Sequence, residues 1–275
     1  MLKDLFADAN PYNICAAIGF ILALAVIVLL ALKRRALNFE FIALCFIAAV
    51  GLFFGAHIMY LLVGLSEFIE YCQSGAVFNM NSFIDAIFMY GGGMVFYGGL
   101  LGALLALFIA LKKMKSTMNM RANLNNFVTA FPLFHAFGRI GCTLNGCCYG
   151  IEYHGIFALT YTEEHIRGSV NADIADFPRF PVQPLEAALE FILFGVLLFI
   201  CLKYKDKYSI TCIYLFSYSI IRFLDEFLRG DAVRGIWGPF STSQWISLFI
   251  LIGVVIYRVV TRRTSAGRMP DVKSL

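Results

Sequence analysis

The chain has 275 residues, 60% of them hydrophobic and 15% charged, with a formal net charge of +4 and a mean hydropathy of +0.77. Soluble domains carry roughly 45–50% apolar and about 25% charged residues, so this composition argues against a water-soluble enzyme. The 28 Phe, 13 Tyr and long aliphatic runs exclude disorder. A bilayer core takes about 20 apolar residues per helix, and about seven such helices fit this length with room for one or two sizeable loops.

The apolar stretches, in chain order, are 14–32, 41–65, 91–111, 127–137, 185–202, 209–228 and 245–260. The fourth is short and is expected to begin earlier or to be covered by its neighbours. Alternate connections hold Lys33, Arg34 and Arg35; Lys112, Lys113, Lys115 and Arg121; Lys203, Lys205 and Lys207; and Arg258, Arg262, Arg263, Arg268 and Lys273. These are fifteen of the 22 Lys and Arg residues, and the positive-inside rule makes their side cytoplasmic. The expected fold is therefore an all-α polytopic membrane protein of seven transmembrane helices, N-terminus outside and C-terminus cytoplasmic. The basic residues reflect topology and give no hint of nucleic acid.

Asp4 and Asp8 precede the first apolar run and Lys33-Arg34-Arg35 follow it. That reverses the charge order of a signal peptide, so the first helix is expected to stay. Residues 66–90 form an extracytoplasmic loop carrying Glu67, Glu70 and Asp85. The longest connection, 141–184, is a small extracytoplasmic subdomain in which 156–161 suits a strand. Residues 1–262 form one membrane domain, and 263–275 are a polar cytoplasmic tail. The two halves show no internal repeat of the kind found in inverted-repeat transporters.

Charges inside apolar spans point to chemistry, because an Arg or Glu in hydrocarbon costs at least about 2.5–3.5 kcal/mol. Tyr218, Arg222, Glu226 and Arg229 fall at helical spacing on one face of the sixth span. A cationic, hydrogen-bonding stripe at that depth suits the phosphate of a lipid headgroup. An Arg222–Glu226 pair that only locks two helices is the plainer alternative. At the end of the fourth span, Gly138 to Gly150 read G-R-I-G-C-T-L-N-G-C-C-Y-G. Here Arg139 sits among glycines that permit close backbone approach, and Asn145-Gly146 suit a turn.

Cys142, Cys147 and Cys148 lie near His135 and His154 in sequence, but their spacing is not a zinc-type pair. No metal is expected there, while a disulfide stays open. Cys15, Cys45, Cys201 and Cys212 are expected as small hydrophobes, and Cys72 is a loop thiol. Gly91 to Gly102 read G-G-G-M-V-F-Y-G-G-L-L-G, which suits either close helix packing or a substrate cleft, with Tyr97 at one end.

Three segments in this order, G-G-x-x-F-x-G-G-L-x-G, G-R-I-G-x-x-x-N-G and Y-x-x-x-R-F-x-x-E-F-x-R-x-D, resemble the prolipoprotein diacylglyceryl transferases. The resemblance covers most of the chain and includes Tyr12, P-V-Q-P-L-E from Pro181 to Glu186, and S-x-S-Q-W ending at Trp245. It implies a bacterial inner-membrane enzyme with its active face outside. Such an enzyme moves diacylglyceryl from phosphatidylglycerol to the lipobox cysteine thiol of prolipoprotein signal peptides, without metal or organic cofactor. By the same resemblance, Arg139 and Arg222 hold the phosphate, Glu226 orients Arg222, and Tyr218 positions the headgroup or takes part in proton transfer. Arg229, Gly98, Gly99, Asn145 and Tyr12 would contact phosphatidylglycerol.

The chain departs from the family pattern in places. Phe96-Tyr97-Gly98-Gly99 stands where many members read F-H-G-G, Cys142 stands where others have Asn, and His57 occupies a place expected to be Arg. Tyr97 is therefore counted with the catalytic candidates, although an ordinary phenol has a pKa of about 10. Two other readings stay open: a transporter or channel for an anionic solute, and a non-catalytic lipoprotein-binding paralogue. A transporter should line both membrane halves with polar groups, whereas the candidates here cluster toward one side.

Overall fold

The computed structural model describes residues 11–35, 37–74, 79–80, 82–84, 86, 95–113, 120–162, 175–204, 209–231 and 235–266. In chain order the elements are α1 (Pro11–Lys33), α2 (Phe39–Val63), α3 (Leu65–Gln73), α4 (Phe96–Lys113), α5 (Met120–Leu144), α6 (Val182–Tyr204) and α7 (Ile210–Asp225). A 3-10 turn (Glu226–Leu228), a hairpin of β1 (Ile236–Trp237) and β2 (Phe240–Ser241), and α8 (Thr242–Ala266) follow. Five helices are long and apolar enough to cross a membrane: α1, α2, Leu124–Leu144 of α5, α6, and Thr242–Thr261 of α8. Large apolar side chains such as Phe39, Phe46 and Phe249 stay exposed along them, as expected of surfaces that meet lipid. The third and sixth predicted spans are helical as well, but α4 and α7 are shorter, with 18 and 16 residues.

Contacts divide the chain into two compact units, 28–124 and the remainder. In the first of these, α2 and α4 meet through glycines. A Cβ on Gly55 would strike the Gly98 carbonyl, and one on Gly102 would strike the Gly51 carbonyl. Such backbone-to-backbone approach is what small residues permit in membrane helices. Asn38 starts α2 by accepting the Phe41 N–H on its side chain at 2.9 Å, a standard N-cap.

The other unit holds α5 from Asn125 onward, α6 to α8 and the larger part of α1. Gly19 lets α1 approach Phe137, since a Cβ there would lie 2.6 Å from the Phe137 Cβ. Asn125 Oδ1 accepts the Ile210 N–H at 3.0 Å, securing the start of α7. Ser241 and Gln244 form a reciprocal cap before α8: Gln244 N–H donates to Ser241 Oγ at 3.2 Å and Ser241 N–H to Gln244 Oε1 at 3.0 Å.

The fourth span begins earlier than 127, as expected, and is a full helix from Met120 to Leu144. Its hydropathy is lowered by Asn125, Asn126, Thr129, His135 and Arg139, all buried, and Pro132 lies inside it, as membrane helices tolerate. Other expectations change. The 156–161 segment is no strand; it is tied across the loop by a bridge of Leu159 with Arg179 and by the Asp176 N–H, which donates to the Tyr161 carbonyl at 2.8 Å. The loop is instead held by scattered backbone bonds and a small core of Tyr149 and Tyr161 with Leu159 and Ala175. The helical stripe ends early. Helix α7 stops at Asp225, and Arg229 is extended with φ −79° and ψ 141°, so Arg229 leaves the face shared by Tyr218 and Arg222. Helix α8 runs on to Ala266, beyond the expected start of the tail. Asp85, Lys115, His165, Lys205, Lys207 and residues 91–94 lie outside the described residues.

Candidate active site

Helices α5 and α6 each carry two ionisable side chains one turn apart, and all four are buried: His135 and Arg139 on α5, Glu186 and Glu190 on α6. The pairs meet. Arg139 Nε lies 2.8 Å from Glu186 Oε2. His135 spans both acids, with Nε2 3.6 Å from Glu186 Oε1 and Nδ1 3.3 Å from Glu190 Oε1. The His135 ring also meets Tyr218 edge-on at 5.3 Å, and Tyr218 stacks on Tyr214 at 5.7 Å.

Helix α7 adds the second guanidinium. Arg222 Nη2 lies 2.5 Å from Glu226 Oε2 and donates to Ser243 Oγ at 3.2 Å, while Nη1 lies 3.6 Å from Asp225 Oδ2. Glu226 thus pairs with Arg222 as its i+4 spacing suggests, and Asp225 and Ser243 add contacts that the sequence reading did not name. Arg229 takes Asp231 with both edges of its fork, Nε to Oδ1 at 2.9 Å and Nη2 to Oδ2 at 2.5 Å. Isolated charges at this depth would be prohibitive, but carboxylate partners offset the desolvation and fix each planar fork in direction.

The connection after α5 is strapped to the end of α7. Gly150 and Arg229 form an antiparallel bridge, Gly230 N–H donates to the Tyr149 carbonyl, and Ile151 N–H to the Leu228 carbonyl, both at 2.9 Å. A Cβ at Gly230 would strike the Gly150 carbonyl, so the strap needs glycine there. Asn145 N–H closes a turn onto the Gly141 carbonyl at 2.9 Å, and Gly146 has a φ of +67°, as the Asn-Gly pair predicts. At Gly141 the absent side chain brings α5 against Tyr12, whose Cα would be 3.1 Å from a Cβ there. From α6, Gln183 Nε2 donates to the Cys147 carbonyl at 2.8 Å and to the Tyr161 hydroxyl at 3.3 Å. Burial pushes the Tyr161 phenol up to about 12 against the pull of that Gln183 bond.

The structure therefore brings Tyr12, Arg139, Asn145, Tyr218, Arg222, Glu226 and Arg229 into one unit. Tyr97, Gly98 and Gly99 belong to the other, at the start of α4, where Tyr97 is 3% exposed. Gly98 lies against Gly55 and Met59 of α2, which gives it a packing role. His57 of α2 sits in that unit too, its Nδ1 2.9 Å from the Phe53 carbonyl one turn back. The residues missed from sequence are His135 as a partner of the acids, Glu190, Asp225 and Ser243. A signal existed for the first two: His135 and Arg139 are four apart in one span, as Glu186 and Glu190 are in another.

Comparison with known proteins gives the family. The family described as Prolipoprotein diacylglyceryl transferase matches residues 5–260. A phosphatidylglycerol–prolipoprotein diacylglyceryl transferase 2 of Clostridium perfringens is 38% identical over 171 residues, covering 62% of this chain and 63% of the relative. Phosphatidylglycerol–prolipoprotein diacylglyceryl transferases of Clostridium tetani and Idiomarina loihiensis are 28% and 30% identical, over 90% and 79% of this chain and 92% and 75% of their own lengths. With the family matched along nearly its whole length, the chain belongs to the prolipoprotein diacylglyceryl transferases.

Proposed function

We propose that this protein transfers the diacylglyceryl group of phosphatidylglycerol to the lipobox cysteine thiol of prolipoproteins. The reaction forms a carbon–sulfur bond at the glyceryl carbon and breaks that carbon's bond to the phosphate oxygen. The thiol proton is lost, and the departing glycerol phosphate gains a negative charge. The observation that carries this reading is the buried pair Arg139 and Arg222, each oriented by its own carboxylates, Glu186 and Glu226, in a chain of this family. Fixed guanidinium groups in a water-poor site act most strongly where charge develops, on the leaving phosphate. Arg229, Asn145 and Tyr12 take the outer parts of the headgroup. Tyr218, against His135, positions the headgroup or relays the proton. Tyr97, Gly98 and Gly99 are carried into this reading by the family resemblance alone.

The same reading places seven spans in the bacterial inner membrane, with the N-terminus and the active face outside. Residues 1–262 act as the catalytic membrane domain and 263–275 as a cytoplasmic tail. The decisive experiment supplies purified protein with phosphatidylglycerol and a lipobox peptide and follows the peptide mass. The peptide should gain one diacylglyceryl group, and a Ser-for-Cys peptide should stay unmodified. An unmodified peptide together with uptake of a small anion into liposomes would replace this reading with a transporter.

A further inference from the structure

Cys142 lies buried in the last turn of α5, and Cys147 and Cys148 follow after one turn. In sequence the C-x-x-x-x-C-C spacing argues against a shared ligand. The fold removes that objection. Gly146 at a φ of +67° and Cys148 at +57° fold the chain back, so that Cys147 N–H donates to the Cys142 carbonyl at 3.1 Å. A side-chain-bearing residue rarely takes the left-handed conformation seen at Cys148; here it turns two adjacent cysteines toward one point. All three sulfurs lie within 4.8 Å of one another. A tetrahedral ion at the usual zinc–sulfur distance holds its sulfurs about 3.8 Å apart, so small side-chain rotations close the triangle.

We propose that Cys142, Cys147 and Cys148 form a binding site for a thiophilic cation such as Zn²⁺, with one coordination position left open. Surrounding groups hold the triangle in place, as metal sites require. Gln183 fixes the Cys147 carbonyl from α6 at 2.8 Å, and the Gly150–Arg229 bridge anchors the strand that leaves Cys148. Three thiolates around a divalent ion leave an excess negative charge. Arg139, one turn before Cys142 on α5, and Arg229, bridged to Gly150, bring positive charge toward it. Cys142 is buried while Cys147 and Cys148 are half-buried, so an ion has a way in. Bound there, it ties the last turn of α5 to the strap that carries Arg229.

The test uses the full chain in detergent under a phosphine reductant, titrated with Co²⁺ and then Zn²⁺. One equivalent of Co²⁺ should bind with sulfur-to-metal charge-transfer absorption and be displaced by Zn²⁺. Zn²⁺ should raise the melting temperature by an amount that grows with the logarithm of its concentration above Kd. It should also protect these three cysteines from alkylation, read peptide by peptide, until a chelator is added. Cys142→Ser, Cys147→Ser and Cys148→Ser should each weaken binding by at least about 10- to 100-fold, and Cys201→Ser should not. Unaltered alkylation of the wild-type trio in saturating Zn²⁺ overturns the site without depending on any variant. So does a wild-type protein whose thiols are joined as a disulfide on isolation and take up no metal once reduced.

Discussion

Arg139 Nε and Glu186 Oε2 lie 2.8 Å apart, on two different helices, with the glutamate 1% exposed. A pair so placed does two things: it makes the burial of the arginine tolerable, and it fixes the direction in which the remaining guanidinium edge points. The first is a matter of stability and the second of catalysis, and substitutions separate them.

Replacing Arg139 or Arg222 by Lys keeps the charge but removes the planar fork. A point charge on a flexible stem cannot make two parallel contacts to phosphate. Transfer to a lipobox peptide should fall on the order of 100-fold in each variant, the loss typical of removing one fixed donor to a developing anion. Near-normal turnover at normal membrane levels would reduce these arginines to helix-locking roles.

Glu186→Gln should cost more in stability than in charge count. Arg139 and His135 both address Glu186, so the change leaves a buried guanidinium without its carboxylate, a defect worth about 3–5 kcal/mol. Glu190→Gln keeps a hydrogen-bonding partner for His135 and leaves the Arg139 pair intact, so it should be milder. Melting temperatures in detergent rank the two, and the reverse order would mean that Glu190 is the principal counter-charge.

Much of this architecture was legible. The helical, membrane-spanning character was, because apolar length is a local property, and five of the helices are long and apolar enough to cross a membrane. So was the Arg222–Glu226 pair, because i,i+4 spacing makes partners of neighbours. The Arg139–Glu186 contact was not, because it joins positions 47 residues apart on separate helices; only the paired spacing of His135 with Arg139 and of Glu186 with Glu190 hinted at it. The extent of α5 was hidden for a related reason. Hydropathy discounts Asn125, Thr129 and His135, but the fold buries them among neighbouring helices. The end of α7 was hidden because a backbone bridge from Gly150 to Arg229, not a helix-breaking residue, draws the chain out of the helix.

Glycines divide into two groups by what surrounds them. Gly55→Ala should destabilise the protein by about 1–3 kcal/mol, since its Cβ would strike the Gly98 carbonyl. Gly138→Ala should leave the melting temperature unchanged or raise it, because nothing lies within 4 Å of a Cβ there. Thermal unfolding of both variants settles this, and equal sensitivity would contradict the packing assigned to α2 and α4.

The proposed topology rests on the fifteen basic residues on alternate connections. Reporter fusions after Lys115 and after Lys207 should both read cytoplasmic, and one near His165 should read external. An external signal after Lys115 would invert the assignment and move the proposed active face to the other side.

Tyr97 is where the chain leaves its family's pattern, and its role can be decided by kinetics. The substrate thiol has an ordinary pKa of about 8.5, so a few per cent is thiolate at neutral pH without an enzymatic base. A positioning role is therefore sufficient for Tyr97. Removing a single neutral hydrogen bond costs about 0.5–1.5 kcal/mol, so Tyr97→Phe should slow transfer by about 2- to 10-fold. Its rate–pH profile should be parallel to that of the wild type. Tyr97→His should be tolerated or faster, since it restores the residue many family members carry. If the phenol instead had to deprotonate the thiol, Tyr97→Phe would abolish transfer, and the wild-type rate would climb with pH along a limb absent from the mutant. An unchanged rate in Tyr97→Phe would give this buried side chain a packing role beside Gly98, whose contact with Gly55 already joins α4 to α2.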